Sequence, residues 1–199
     1  MALLDYNEVT LKKYVVVDGE PYEVVDSHVA RTQMRKPTNK TKLKSLISGR
    51  VIEQVFQVSD RVEEADISKK PITFLYKNEK KAEFWFSWPD NPKDRFVLDD
   101  KIVGDQIKYI KEKSEVEAQV FTLKDGEEKI IGIKYPMKVD LRVVEAPPSI
   151  KGDTATGGTK VVVLETGATV NAPLFINEGE LIKVNIETGE YSERVNESK

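Results

Sequence analysis

Tyr14-Val15-Val16-Val17-Asp18-Gly19-Glu20-Pro21-Tyr22-Glu23-Val24-Val25 is the stretch that decides the fold class. Two β-branched and aromatic runs flank an Asp-Gly dipeptide. Asp and Gly tolerate the positive φ angles of a two-residue turn, so the stretch reads as a β-hairpin. The same device recurs at Asp125-Gly126, between Ala118–Leu123 and Lys129–Ile133. A weaker form stands at Thr188-Gly189, between Leu181–Ile186 and Tyr191–Val195. Helical periodicity is scarce, and Val62–Ile67 and Ile102–Ile110 are the two stretches expected to form short helices. Many short strands at regular spacing predict an all-β protein built from small barrels.

Two boundaries divide the 199 residues. Around Val62–Pro71 the chain passes through an acidic stretch, expected to be poor in strand, that ends in Lys69-Lys70-Pro71. Near Tyr135-Pro136 a strand meets a proline, which cannot donate to a ladder. Ala146-Pro147-Pro148-Ser149 reads as a loop inside the last domain. Three small barrels are therefore expected: an SH3-like domain over 1–65 with a basic hairpin, and oligonucleotide-binding (OB) type barrels over 66–135 and 136–199. A hydrophobic content of 39% suits thin-cored barrels better than one thick core. Absence of cysteine rules out disulfides and thiolate metal sites and suits a reducing compartment. Apolar runs such as Val161–Leu164 are too short to span a bilayer, and Met1–Asn7 lacks the blocks of a secretion signal. The expectation is a cytoplasmic protein with no membrane partner.

Charge gives the first functional lead. Lys and Arg number 31 against 34 Asp and Glu. Between Ser27 and Ile52 there is no acid, yet Arg31, Arg35, Lys36, Lys40, Lys42, Lys44 and Arg50 all fall there; the rest of the chain is net −10. A concentrated positive field on an otherwise acidic protein points to a polyanion, with RNA the expected partner. Lys40, Lys42 and Lys44 alternate along a strand and share the face opposite Leu43. Val24, Val25 and Val29 supply the partner strand, making a hairpin with its tip at Thr32–Lys36. Lysines at this spacing can track phosphates along one backbone. Solvated edge-strand charge is the plainer explanation. It does not require 26 positions without an acid, so the nucleic-acid reading is preferred.

Other motifs carry less. Gly152 to Thr159 fails the phosphate-loop pattern, because Gly158 stands where a lysine is required after Gly157. Its backbone N–H groups could still meet phosphates, or the segment could be a plain β–β connection. His28 is the sole histidine, so no familiar metal site and no cofactor are expected. Glu63-Glu64, Asp99-Asp100 and Glu127-Glu128 lie in acidic turns rather than in a hydrolytic constellation, and no enzyme is expected. Phe84, Trp85, Phe86 and Trp88 could stack bases, although alternation commits one face of that strand to the core.

Several segments resemble bacterial translation elongation factor P. Lys160-Val161-Val162-Val163-Leu164-Glu165-Thr166-Gly167-Ala168-Thr169-Val170-Asn171-Ala172-Pro173-Leu174-Phe175-Ile176-Asn177-Glu178-Gly179 is similar to the family's diagnostic spacing of Lys, Gly, Pro and Gly, with Val162 and Ala172 as mild departures. Lys151 to Lys160, which includes Gly152, Asp153, Thr154, Gly157 and Gly158, resembles the third-domain loop. Asp18-Gly19-Glu20-Pro21-Tyr22 and Lys42-Leu43-Lys44-Ser45-Leu46 resemble the first domain; Leu75-Tyr76 and Glu83-Phe84-Trp85 resemble the second. The resemblance implies an L-shaped, monomeric protein with a KOW-like first domain and two OB-type barrels. It implies ribosome binding between the peptidyl and exit tRNA sites, and relief of stalling at consecutive prolines. The first domain would reach the peptidyl-tRNA acceptor end, with Arg31, Lys36, Lys40, Lys42 and Lys44 on RNA backbone. The third-domain loop, with Lys160, would face rRNA or messenger in the exit site. A general RNA-binding protein or RNA chaperone on the same barrels, or a specialised paralogue, is the alternative.

The tip departs from the pattern. The family's hairpin usually ends in Pro-Gly-Lys-Gly or an arginine equivalent, its basic residue often enzymatically extended. Here the stretch is Arg31-Thr32-Gln33-Met34-Arg35-Lys36. Counting back from Lys42 puts the modified position at Met34; counting forward from His28 puts it at Gln33. Arg35 is the rival for the apex if a one-residue insertion falls earlier. The expectation is a factor that works without modification at the usual site.

Overall fold

The computed structural model describes residues 2–31, 36–148 and 158–196. As expected, the protein is all-β, apart from short helical turns among the described residues between 100 and 109. Six antiparallel strands form the first sheet: β1 (Leu3–Asp5), β2 (Tyr14–Val17), β3 (Glu20–Ala30), β4 (Thr38–Ser45), β5 (Val51–Gln57) and β6 (Arg61–Glu64). Their order is β1-β6-β2-β3-β4-β5. Asp18 and Gly19 have φ of 53° and 85°, the two left-handed residues of a tight hairpin turn, and Val17 pairs with Glu20 across it. Inward side chains Leu4, Val9, Val15, Val24, Leu43, Phe56 and Val62 form the core beneath this sheet. Val24 and Leu43 pair directly and are both fully buried, worth about 1.5–3 kcal/mol each.

The second sheet holds β7 (Ile67–Asn78), β8 (Glu83–Trp88), β9 (Asn91–Leu98), β10 (Glu115–Thr122) and β11 (Glu128–Lys134), in the order β11-β10-β7-β8-β9. Five strands also make the third: β12 (Lys138–Glu145), β13 (Thr159–Leu164), β14 (Thr169–Pro173), β15 (Leu181–Asn185) and β16 (Glu190–Val195), in the order β14-β13-β12-β15-β16. Its core is aliphatic, with Leu141, Val143, Val162, Leu164, Val170, Ala172, Ile176, Ile182 and Val184 all 3% exposed or less. Ala146–Pro148 leads from β12 towards its sheet neighbour β13, which makes it an internal connection as expected. By contact density the chain forms two compact units, Met1–Lys70 with Ala118–Gly132 and Pro71–Glu117 with Ile133–Lys199. No helix among the described residues is long and apolar enough to cross a membrane.

Two expectations fail in detail. Val62–Ile67 is not helical: Val62 pairs with Leu4 and is 5% exposed, Arg61 makes an ion pair with Asp5, and the chain re-enters strand at Ile67. A period of two, with one apolar residue inward, prevails over any helical stripe. The stretch to Pro71 is accordingly rich in strand, and β7 runs straight through the proline. Register with β8 begins only at Thr73, so the missing N–H lies beyond that ladder. Ile102–Ile110 is helical but divided: α1 (Asp100–Val103) and a 3-10 turn (Asp105–Tyr109) are separated by Gly104 at φ 72°.

Candidate nucleic-acid interface

Strand β4 alternates without interruption. Asn39, Thr41, Leu43 and Ser45 are buried, while Lys40, Lys42 and Lys44 are exposed, as the sequence pattern predicts. Its partner β3 places His28 opposite Lys40 and Val29 opposite Asn39. Arg31 and Lys36, at the described ends of the hairpin, are exposed. Gln33, Met34 and Arg35 lie outside the described residues.

A polar network fixes this hairpin to the body of the first sheet. Asn39 Nδ2 donates to the carbonyls of Tyr6 (2.7 Å) and Val9 (2.8 Å). Ser27 Oγ lies 2.9 Å from the Val9 carbonyl and 3.1 Å from Asn39 Oδ1. Asn39 is fully buried, so each of these bonds replaces water that the carbonyls could not otherwise reach. Next along the same face, Thr41 Oγ1 donates to the Gln54 carbonyl at 3.0 Å. At the far end of β4, Ser45 Oγ accepts from the N–H groups of Ile47 and Ser48, shaping the turn into β5.

The outer face is built from three strands. Ladder register sets His28, Lys40 and Val55 side by side, then Asp26, Lys42 and Glu53, then Glu23, Lys44 and Val51. Residues directly opposite in an antiparallel pair share a face, with Cβ atoms about 5 Å apart. The acid-free stretch of sequence is therefore not acid-free in space: Glu23, Asp26 and Glu53, just outside its limits, return beside the lysines. Among the described residues none of the three lysines is in an ion pair. Glu23 reaches across to Tyr14 of β2, whose phenol is pushed up by burial and by that carboxylate. The β2 end of this face is covered, Tyr14 and Val16 packing against a cluster of Ala65, Phe121 and Ile131.

The third-sheet candidates divide. Gly158 precedes β13, and Lys160 in β13 donates from Nζ to the Pro147 carbonyl at 2.9 Å, tying the two ends of the intervening segment together. Gly152, Asp153, Thr154 and Gly157 lie outside the described residues. In the second sheet Phe84 and Phe86 are core, at 3% and 0% exposure. Trp85 stacks on Tyr76 (6.1 Å, 15° between planes) and Trp88 packs on Phe96 (5.1 Å), so one face of Trp85 is already taken. Sequence reading missed Asn39, Ser27 and the flanking acids. A signal for Asn39 was present, since period two points it inward with Leu43; nothing local marks its partners Tyr6 and Val9.

Two family models match. Residues 8–62 fit "Elongation factor P (EF-P) KOW-like domain", and residues 139–194 fit "Elongation factor P, C-terminal". Among curated relatives, elongation factor P of Brachyspira hyodysenteriae is 39% identical over 194 residues, covering 98% of this chain and 100% of that protein. That of Pseudothermotoga lettingae is 41% identical over 180 residues, covering 90% and 93%. That of Thermodesulfovibrio yellowstonii is 39% identical over 183 residues, covering 90% and 91%. With matches of this extent, and a basic KOW-like hairpin at one end and the matched C-terminal sheet at the other, the chain belongs to the elongation factor P family and is a translation elongation factor that acts with the ribosome.

Proposed function

We propose that the protein binds the ribosome between the peptidyl and exit tRNA sites and promotes peptide-bond formation at proline stretches by positioning the peptidyl-tRNA. One observation carries the reading: a hairpin anchored through buried Asn39 bears exposed Arg31, Lys36 and Lys40 towards the tip, in a domain of KOW-like type. An anchored hairpin suits positioning, because ordering the reacting ends removes part of an entropic barrier and a loosely held one would not. Gln33, Met34 and Arg35 are assigned to the tRNA acceptor end. The Gln-Met pair would act unmodified, through amide bonds and an adaptable thioether.

Lys42 and Lys44 continue the basic row behind Lys40. Gly152, Asp153, Thr154, Gly157 and Gly158 are assigned to rRNA or messenger in the exit site, together with Lys160 of β13. The family matches at 8–62 and 139–194 support functional domains over 1–65, 66–135 and 136–199. The factor acts in the cytoplasm as a monomer, and catalysis of the bond belongs to the ribosome.

Rapid peptide-bond kinetics on a Pro-Pro-Pro template test this: addition of the protein speeds the stalled step. No stimulation, with binding to structured RNA retained, would replace the proposal with a general RNA chaperone. Intact-mass analysis of protein from its native host tests the tip, and a mass increment localised to Thr32–Lys36 would refute unmodified action.

A further inference from the structure

The lysine row does not present uniform charge along the hairpin. Lys44 has one acid opposite it, Glu23; Lys42 lies between two, Asp26 and Glu53; Lys40 has His28 and Val55. Three cations thus meet three carboxylates, and a face read from β4 alone as strongly positive is neutral across its three strands. A phosphate approaching Lys42 meets two negative groups within about one strand spacing on either side. Towards the tip the ladder sets no further acid against a cation: Lys40 has His28 and Val55, and exposed Arg31 and Lys36 lie beyond its last pair, Ala30 opposite Thr38.

We infer that Asp26 and Glu53 act as a charge stop, confining RNA-phosphate contact to the tip half of the hairpin at Arg31, Lys36 and Lys40. This inference rests on the proposed RNA contact of the first domain and adds how that contact is bounded. A uniform row of three lysines would bind any nearby backbone, whereas a stopped row limits the number of phosphates engaged.

The test uses the full-length protein and 70S ribosomes carrying tRNA in the peptidyl site, with affinity measured between about 50 and 200 mM salt. Lys40→Ala lowers the log–log salt slope by roughly 0.7–0.9, the value of one phosphate contact. Lys42→Ala lowers it by less than half as much. In an Asp26→Asn/Glu53→Gln background, binding tightens roughly two- to fivefold, as relief of exposed like-charge contacts allows, and Lys42→Ala then costs as much as Lys40→Ala. Equal losses for Lys40→Ala and Lys42→Ala in the native background would overturn the charge stop while leaving RNA contact intact. No loss for Lys40→Ala, alone or with Arg31→Ala and Lys36→Ala, would overturn both.

Discussion

In the β13–β14 hairpin the four buried positions are all apolar: Val162, Leu164, Val170 and Ala172, each 3% exposed or less. In the β3–β4 hairpin the inward row of β4 reads Asn39, Thr41, Leu43 and Ser45, equally buried but with one aliphatic member. Apolar packing is non-directional and tolerates small shifts, whereas hydrogen bonds fix angle as well as distance. The family's diagnostic spacing falls on the first kind of hairpin. Gly167 and Gly179 supply turns at φ 82° and 85°, and Pro173 ends β14, so that motif is scaffold. The first-domain residues assigned to RNA stand on the second kind.

The comparison breaks most visibly at Asn39. Replacing it with Leu, of similar size, leaves the Tyr6 carbonyl without its side-chain donor and the Val9 carbonyl with Ser27 Oγ alone. A loss of about 2–4 kcal/mol in urea unfolding is expected, with peptide-bond stimulation falling further because the hairpin loses its orientation. A loss below about 1 kcal/mol would show that the polar row is replaceable and that the two hairpins do not differ in kind.

Within the third sheet, two glycines sharpen the same contrast. Gly167, in the β13–β14 turn, has nothing within 4 Å of where a Cβ would stand, so Gly167→Ala costs only backbone strain, about 1 kcal/mol. Gly189, in the β15–β16 turn at φ 71°, would place a Cβ 2.6 Å from Tyr109 Oη. Gly189→Ala should therefore cost about 2–3 kcal/mol. Tyr109→Phe, which leaves ring atoms no nearer than 3.6 Å, should recover the excess. Equal melting shifts for the two glycine variants would show that the Tyr109 contact relaxes freely.

What was legible follows from how local each signal is. The β2–β3 turn could be read because Asp18 and Gly19 determine it between themselves, and the lysine face because alternation along β4 is intrinsic to a strand. Val62–Ile67 misled because its fate is decided by pairing with Leu4 and Leu3, far earlier in the chain. The charge of the β4 face misled for the same reason. An acid-free window is a property of sequence, but Asp26 and Glu53 sit one strand away on either side and return through register. Asn39 could be placed inward, while the carbonyls it serves come from an irregular loop with no pattern of its own.

Glu165 gives the smallest effect and tests how firmly the third-sheet scaffold is fastened. It lies in the β13–β14 turn, where Oε1 accepts from the backbone N–H of Arg142 and from Lys111 Nζ, each at 2.7 Å. Partial burial pushes its carboxyl up. The Lys111 and Arg142 hydrogen bonds, with their charges, outweigh that and hold it below its ordinary 4.5. A carboxylate depressed in the folded state adds stability above its unfolded value and loses it as pH falls through the folded one. The contribution is thus complete at neutral pH, begins to fall near the ordinary 4.5 and is lost as pH drops through the lower folded-state value. Glu165→Gln should lower the urea midpoint at pH 7, and the gap to the native protein should close as pH is taken down through the acid range. Lys111→Gln should reproduce most of that behaviour, since it removes the same partner. A gap that stays constant with pH would mean that Glu165 acts through shape alone, leaving the β13–β14 turn held by its packing and its glycine.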